Sequence, residues 1–168
     1  PYNVLYPGTS ETTKVTFPTT QTYVADSFDG NAAPSYGVAT VNNNVATVTL
    51  RPLSAVLRIV LNGTSTITKI VLSGVGDKSI AGKFTVNFST GALTASGSNA
   101  SSITYNIGTK TLGVNDTYFY ITVPARNYTE GLEALVYEQT TEKYMKLILF
   151  QNGKDLKGGD IAEFKAVT

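Results

Sequence analysis

Arg51-Pro52-Leu53-Ser54-Ala55-Val56-Leu57-Arg58-Ile59-Val60-Leu61-Asn62-Gly63 is the stretch on which the fold turns. Leu53, Ala55, Leu57, Ile59 and Leu61 alternate along the chain and share one face of a strand. Ser54, Val56, Arg58 and Val60 share the other. Both faces are largely apolar, so this strand is expected to lie centrally in its sheet or where two modules meet. Pro52 before it and Asn62-Gly63 after it are the punctuation of a strand followed by a turn.

The same alternation runs outward in both directions. Upstream, Tyr2–Tyr6, Lys14–Phe17, Gln21–Val24, Tyr36–Val41 and Val45–Leu50 read as strands. Asn42-Asn43-Asn44 between the last two tolerates left-handed backbone and reads as the turn of a hairpin. Downstream, Thr66–Leu72, Lys83–Phe88, Ile103–Ile107, Thr117–Val123, Leu132–Glu138, Tyr144–Phe150 and Ile161–Val167 follow, with a short edge strand at Ala92–Ala95. The only helical pattern, in Asn127–Leu135, is interrupted by Gly131. Regular turns without helices specify an all-β sandwich or barrel. A module boundary is expected near Leu50–Pro52, dividing the chain into 1–50 and 51–168. The first piece is short for a sandwich of its own and reads as the later part of a module.

Composition narrows the chemistry. Of 168 residues none is Cys, His or Trp. No imidazole base, thiol nucleophile, disulfide or His metal ligand is therefore available. The 13 basic and 12 acidic residues leave a net charge of +1, which gives no field for nucleic acid. Glu130, Glu133, Glu138 and Glu142 form the densest acidic group, and Glu133, opposite Leu132 and Ala134 on its strand, points to solvent rather than to a paired-carboxylate site. Asp26-Ser27-Phe28-Asp29-Gly30-Asn31 offers oxygen ligands but lacks the spacing and terminal Glu of a calcium loop, so an Asx turn is expected. The Asn-x-Ser/Thr triplets at Asn62, Asn87, Asn99, Asn115 and Asn127 fit a chain rich in Asn, Ser and Thr. No cofactor and no catalytic residue is expected. Low charge without disulfides favours a bacterial exported protein, whose signal or lipid anchor would lie upstream of Pro1.

Several segments in order resemble the fimbrillin-like pilus and cell-adhesion proteins of Bacteroidales. They are Arg51–Thr64 with Ile67–Ser73, Ile80–Asn87, Tyr118–Ala125 and Leu156–Phe164, with Phe17-Pro18, Gln21-Thr22-Tyr23 and Tyr36 upstream. The resemblance implies two Greek-key, transthyretin-like β-sandwich modules. It also implies a lipoprotein of the outer-membrane surface that acts in a fimbrium as subunit or tip adhesin, without catalysis. Its partners would be other pilus subunits, copies of itself, or a surface glycan or protein.

Two candidate sites follow. Ile161, Ala162, Glu163, Phe164, Lys165, Ala166 and Val167 form an alternating strand that either pairs within its own sheet or is donated to a neighbour. Tyr118 and Tyr120 share the face opposite Phe119 and Ile121. They either stand outward as a glycan-stacking surface, in a glycan-binding protein of a polysaccharide-uptake system, or lie covered.

Overall fold

The computed structural model describes residues 1–8, 10–76, 79–140 and 143–165. In chain order its strands are β1 (Tyr2–Tyr6), β2 (Lys14–Phe17), β3 (Thr20–Thr22), β4 (Ser35–Asn42), β5 (Val45–Thr47), β6 (Arg51–Pro52), β7 (Ser54–Leu61), β8 (Thr66–Gly74) and β9 (Gly82–Val86). They continue with β10 (Leu93–Ala95), β11 (Ser102–Thr111), β12 (Thr117–Pro124), β13 (Asn127–Tyr128), β14 (Leu132–Glu138), β15 (Tyr144–Phe150), β16 (Lys154–Asp155) and β17 (Ile161–Lys165). A single 3-10 turn, Gly30–Ala32, is the only helical element among the described residues. The all-β sandwich expected from the alternation is the architecture found.

The larger sandwich packs a five-stranded sheet, ordered β15-β14-β8-β11-β3, on a three-stranded sheet, ordered β12-β7-β17. β7 is central in the smaller sheet, and its two apolar faces explain why. Ala55, Leu57, Ile59 and Leu61 enter the common core with Ile70 and Leu72 of β8, Ile103 and Tyr105 of β11, and Phe119 and Ile121 of β12. On the opposite face Val56 and Val60 are also buried, flanking Arg58. Burial of a side chain of this size stabilises the fold by about 1.5–3 kcal/mol.

A second, smaller sandwich packs β1, β4, β5 and β6 against a sheet ordered β10-β9-β2. Its core is Val15, Phe17, Tyr36, Leu53, Phe84 and Val86, with the Phe17 and Phe84 rings edge to face at 5.5 Å. Leu5, rather than Tyr2 or Tyr6, is the β1 residue that packs against this core, and the two tyrosines are exposed. Asn43 and Asn44 adopt φ of 50° and 63°, the left-handed backbone expected of the β4–β5 hairpin.

The strand ladders cross the expected boundary at Leu50–Pro52. β2 pairs with β9, and β3 pairs in parallel with β11. The division into 1–50 and 51–168 therefore does not describe the hydrogen bonding. The smaller sandwich borrows β9 and β10 from residues 82–95, and the larger borrows β3 from residues 20–22. Phe84 and Val86 alternate inward as the sequence indicates, but toward the core built by Val15 and Phe17. Alternation fixes which face of a strand is buried and says nothing of which sheet receives it.

Candidate functional site

The last described strand holds the first candidate site. β17 adds in parallel to β7, with Ile161 opposite Val56 and Lys165 opposite Val60. Ala162 is buried in the core, and the half-buried Phe164 packs against it, while Ile161, Glu163 and Lys165 are exposed. Of the two readings of this segment, pairing within its own sheet is what the structure shows. Ala162 and Phe164 contribute apolar contacts that a donated strand would have to give up. Ala166 and Val167 lie outside the described residues.

β17 has β7 on one side and ends its sheet on the other. Val56 N–H donates to Asp160 O at 2.8 Å. In a parallel ladder that sets the alternation: the N–H and C=O of Ile161, Glu163 and Lys165 point away from β7. Among the described residues these groups have no backbone partner, as at a free edge. On the same side of the sandwich the five-stranded sheet ends at β15, whose Phe150 ring lies 6.0 Å from that of Phe164. Met145 and Ile148 of β15 are exposed.

The opposite side of the sandwich is closed by a side chain. Gln21 on β3 is fully buried, and its amide mimics a strand. Its Nε2 donates to Thr122 O at 2.8 Å, and its Oε1 accepts from Thr122 N at 3.0 Å and from Thr122 Oγ1 at 3.0 Å. Thr122 Oγ1 also lies 2.9 Å from Ala32 O, which ties the 3-10 turn to the same point. The edge of β12 is thereby occupied at Thr122. The contrast between this closed side and the open side of β15 and β17 is the main asymmetry of the fold.

Charged pairs hold β17 in register. Tyr120, Arg58 and Glu163 form one cross-strand row over β12, β7 and β17. Arg58 forms an ion pair with Glu163, and its guanidinium carbon is 5.6 Å from the Tyr118 ring centre. The Tyr120 hydroxyl, and next the Glu163 carboxylate, raise the Arg58 pKa above its ordinary value. At the end of the strand, Lys165 Nζ donates to Asp116 at 2.8 Å, and Asn62 donates to the same carboxyl at 3.1 Å. The hydrogen bond from Lys165, followed by that from Asn62, holds the Asp116 pKa below the usual carboxylate value.

Tyr118 and Tyr120 are half-buried, and Arg58 lies on the Tyr118 ring. The guanidinium of Arg58 makes a cation–π contact with the Tyr118 ring. Asp29, in the loop weighed for calcium, accepts from Asn31 N and Thr22 N at 3.1 Å each, an Asx turn that caps the 3-10 turn. Among the described residues no group of three or more metal-ligating side chains occurs. No helix among them is long and apolar enough to cross a membrane.

Sequence reading missed Gln21 and Arg58 as organising residues. A lone Gln in a short polar strand carries no signal until its partner, far along the chain, is known. Arg58 was visible as the one charge in an apolar strand, which is the pattern of a residue with fixed partners.

The fold is similar to that of a candidate cell adhesion protein from Bacteroides thetaiotaomicron, with a TM-score of 0.52 and 13% identity, covering 98% of this chain and 64% of that one. It is also similar to a candidate cell adhesion protein from Bacteroides ovatus, with a TM-score of 0.58 and 12% identity, covering 97% of this chain and 60% of that one. At such identities the likeness carries the fold. The chain thus spans less than two thirds of the length of either structure. No family model and no curated protein matches the sequence.

Proposed function

We propose that this chain is a non-catalytic, fimbrillin-like cell-surface protein that acts in adhesion and in assembly of surface fibres by β-strand addition. The observation that carries this reading is the asymmetry of the larger sandwich. On one side Gln21 of β3 bridges to the β12 edge at Thr122, and on the other side the edges of β17 and β15 carry no such backbone bridge among the described residues. An unpaired edge with exposed apolar side chains is a template for another chain. The partner is another subunit or a second copy, and the site is the edge of β17, with β17 itself left in place. The likeness to two candidate cell adhesion proteins supports an extracellular, surface location.

Glu163→Pro tests the reading. It removes one outward N–H and the exposed ion pair with Arg58 of β7 while leaving the backbone hydrogen bonds to β7 intact, because the N–H and C=O of Glu163 point away from that strand. The variant is expected to fold and to lose concentration-dependent assembly in light scattering. Assembly at the wild-type level by a folded Glu163→Pro chain contradicts the proposal.

A further inference from the structure

A cleft lies between the two sandwiches. It has a volume of about 600 Å³, within the range of small-molecule sites. Tyr6 at the end of β1, Phe28 and Asn31 in the loop before β4, Ser35 on β4, Ser54 on β7 and Ile161 on β17 converge on it. These six positions come from separate parts of the sequence, and only the packing of the two sandwiches brings them together.

Three observations define what the cleft would take. First, none of the described residues that line it is charged. An anionic or cationic ligand would find no counter-charge there. Second, polar groups are present. Ser54, only 5% exposed, lines the cleft together with Ser35 and Asn31. Hydroxyl and amide side chains can both donate to and accept from the hydroxyls of a ligand. Third, two exposed aromatic rings, Tyr6 and Phe28, stand at the cleft beside these polar groups.

The rim is also held in place. Asp29 caps the 3-10 turn through Asn31 N, and Ala32 O is bonded by Thr122 Oγ1. Phe28 and Asn31 are thus carried on a loop pinned to the sandwich, which limits the ordering cost of binding. Hydroxyl and amide groups with aromatic faces, and no charge, match one ligand chemistry: a neutral saccharide, whose hydroxyls hydrogen-bond and whose C–H faces stack on rings. We propose that this inter-sandwich cleft is a binding site for a neutral mono- or disaccharide. The inference rests on the adhesion reading only for the use made of the sugar. Ile161 belongs to both the cleft wall and the β17 edge, so binding is measured on the monomer, where the edge is unoccupied.

The test is titration of the isotope-labelled chain with lactose, cellobiose, maltose and the disaccharide of N-acetylglucosamine, with sialyllactose as the anionic comparison, read by amide chemical shifts. At least one neutral sugar is expected to give saturable shifts at Phe28, Asn31, Ser54 and Ile161. Phe28→Ala and Asn31→Ala are expected to weaken that binding by about tenfold or more. Both positions are exposed, so the variants should retain the wild-type spectrum elsewhere. Ser54→Ala, which deletes one hydroxyl, should also weaken binding without unfolding the chain. The proposal is overturned if no neutral sugar shifts these amides at about 20 mM, or if the shifts map to another face. Tighter binding of sialyllactose than of lactose, or unchanged affinity in folded Phe28→Ala, overturns it equally. Glu163→Pro should bind the sugar normally, so loss of assembly and loss of sugar binding are separable failures.

Discussion

Replacing Gln21 by Leu should unfasten the closed side of the larger sandwich. The substitution nearly preserves volume at a fully buried position, so the polar term dominates. It removes three hydrogen bonds, at 2.8, 3.0 and 3.0 Å, and leaves the Thr122 N–H and C=O facing an apolar group. Each buried backbone group stranded in this way costs about 1–3 kcal/mol. Leu recovers roughly 1 kcal/mol through its apolar surface. The net loss should be about 1–5 kcal/mol, or roughly 2–20 °C in Tm for a chain of this length. Thr122→Val keeps the backbone and removes only the hydroxyl, with its bonds to Gln21 and Ala32, and should cost about 1–2 kcal/mol. The two residues share a network, so the double variant should fall short of the sum by about 0.5–2 kcal/mol. Urea denaturation of all four chains measures the cycle. A Gln21→Leu chain within about 0.5 kcal/mol of wild type, or strict additivity of the two changes, refutes the idea that this amide closes the β12 edge.

Other perturbations have equally definite outcomes. The Tyr105 hydroxyl is buried in the core, and burial, only partly offset by the backbone of Tyr120 and Val24, pushes its pKa up to about 12. Its folded pKa lies above the unfolded value near 10, so its contribution to stability is whole below about pH 10 and is lost as pH rises toward 12. Tyr105→Phe should therefore leave neutral-pH stability unchanged or raised, and should flatten the alkaline loss seen by circular dichroism. Asp116→Asn removes the partner of Lys165, and amide exchange along β17 should quicken while exchange in β8 and β11 stays slow. The Asp116 pKa is lowered on folding, so the same quickening should appear in wild type as pH falls through the folded-state value. Ile59→Ala in the core should cost about 2–5 kcal/mol, whereas Ile161→Ala at the exposed edge should cost under about 0.5 kcal/mol in thermal denaturation.

Much of the fold was legible because alternation is a local signal. Lys14–Phe17, Leu132–Glu138 and Tyr144–Phe150 lie where the sequence places them. The central position of β7 followed from its two apolar faces. What the sequence does not carry is which sheet each strand joins. Gly82–Val86 alternates in the same way whether it packs on Val15 and Phe17 or on Ile103 and Tyr105. Only the three-dimensional path decides, and it carries this strand across the expected boundary. β13 occupies the start of the segment with helical character, where Tyr128 is drawn fully into the core. At the candidate site the exposed and buried alternation of residues 161–165 was readable, but its parallel pairing to β7 was not. Tyr118 and Tyr120 were placed on the right face, and the Arg58 that covers Tyr118 was invisible as their neighbour. The cleft between the sandwiches had no sequence signature, since its walls come from widely separated segments.

Amide exchange at β17, measured at low and at high protein concentration, tests the central proposal most directly. Strand addition at this edge predicts that the N–H groups of Ile161, Glu163 and Lys165 exchange rapidly in the monomer and become protected as assemblies form. Assemblies that form while these three amides stay unprotected would contradict it.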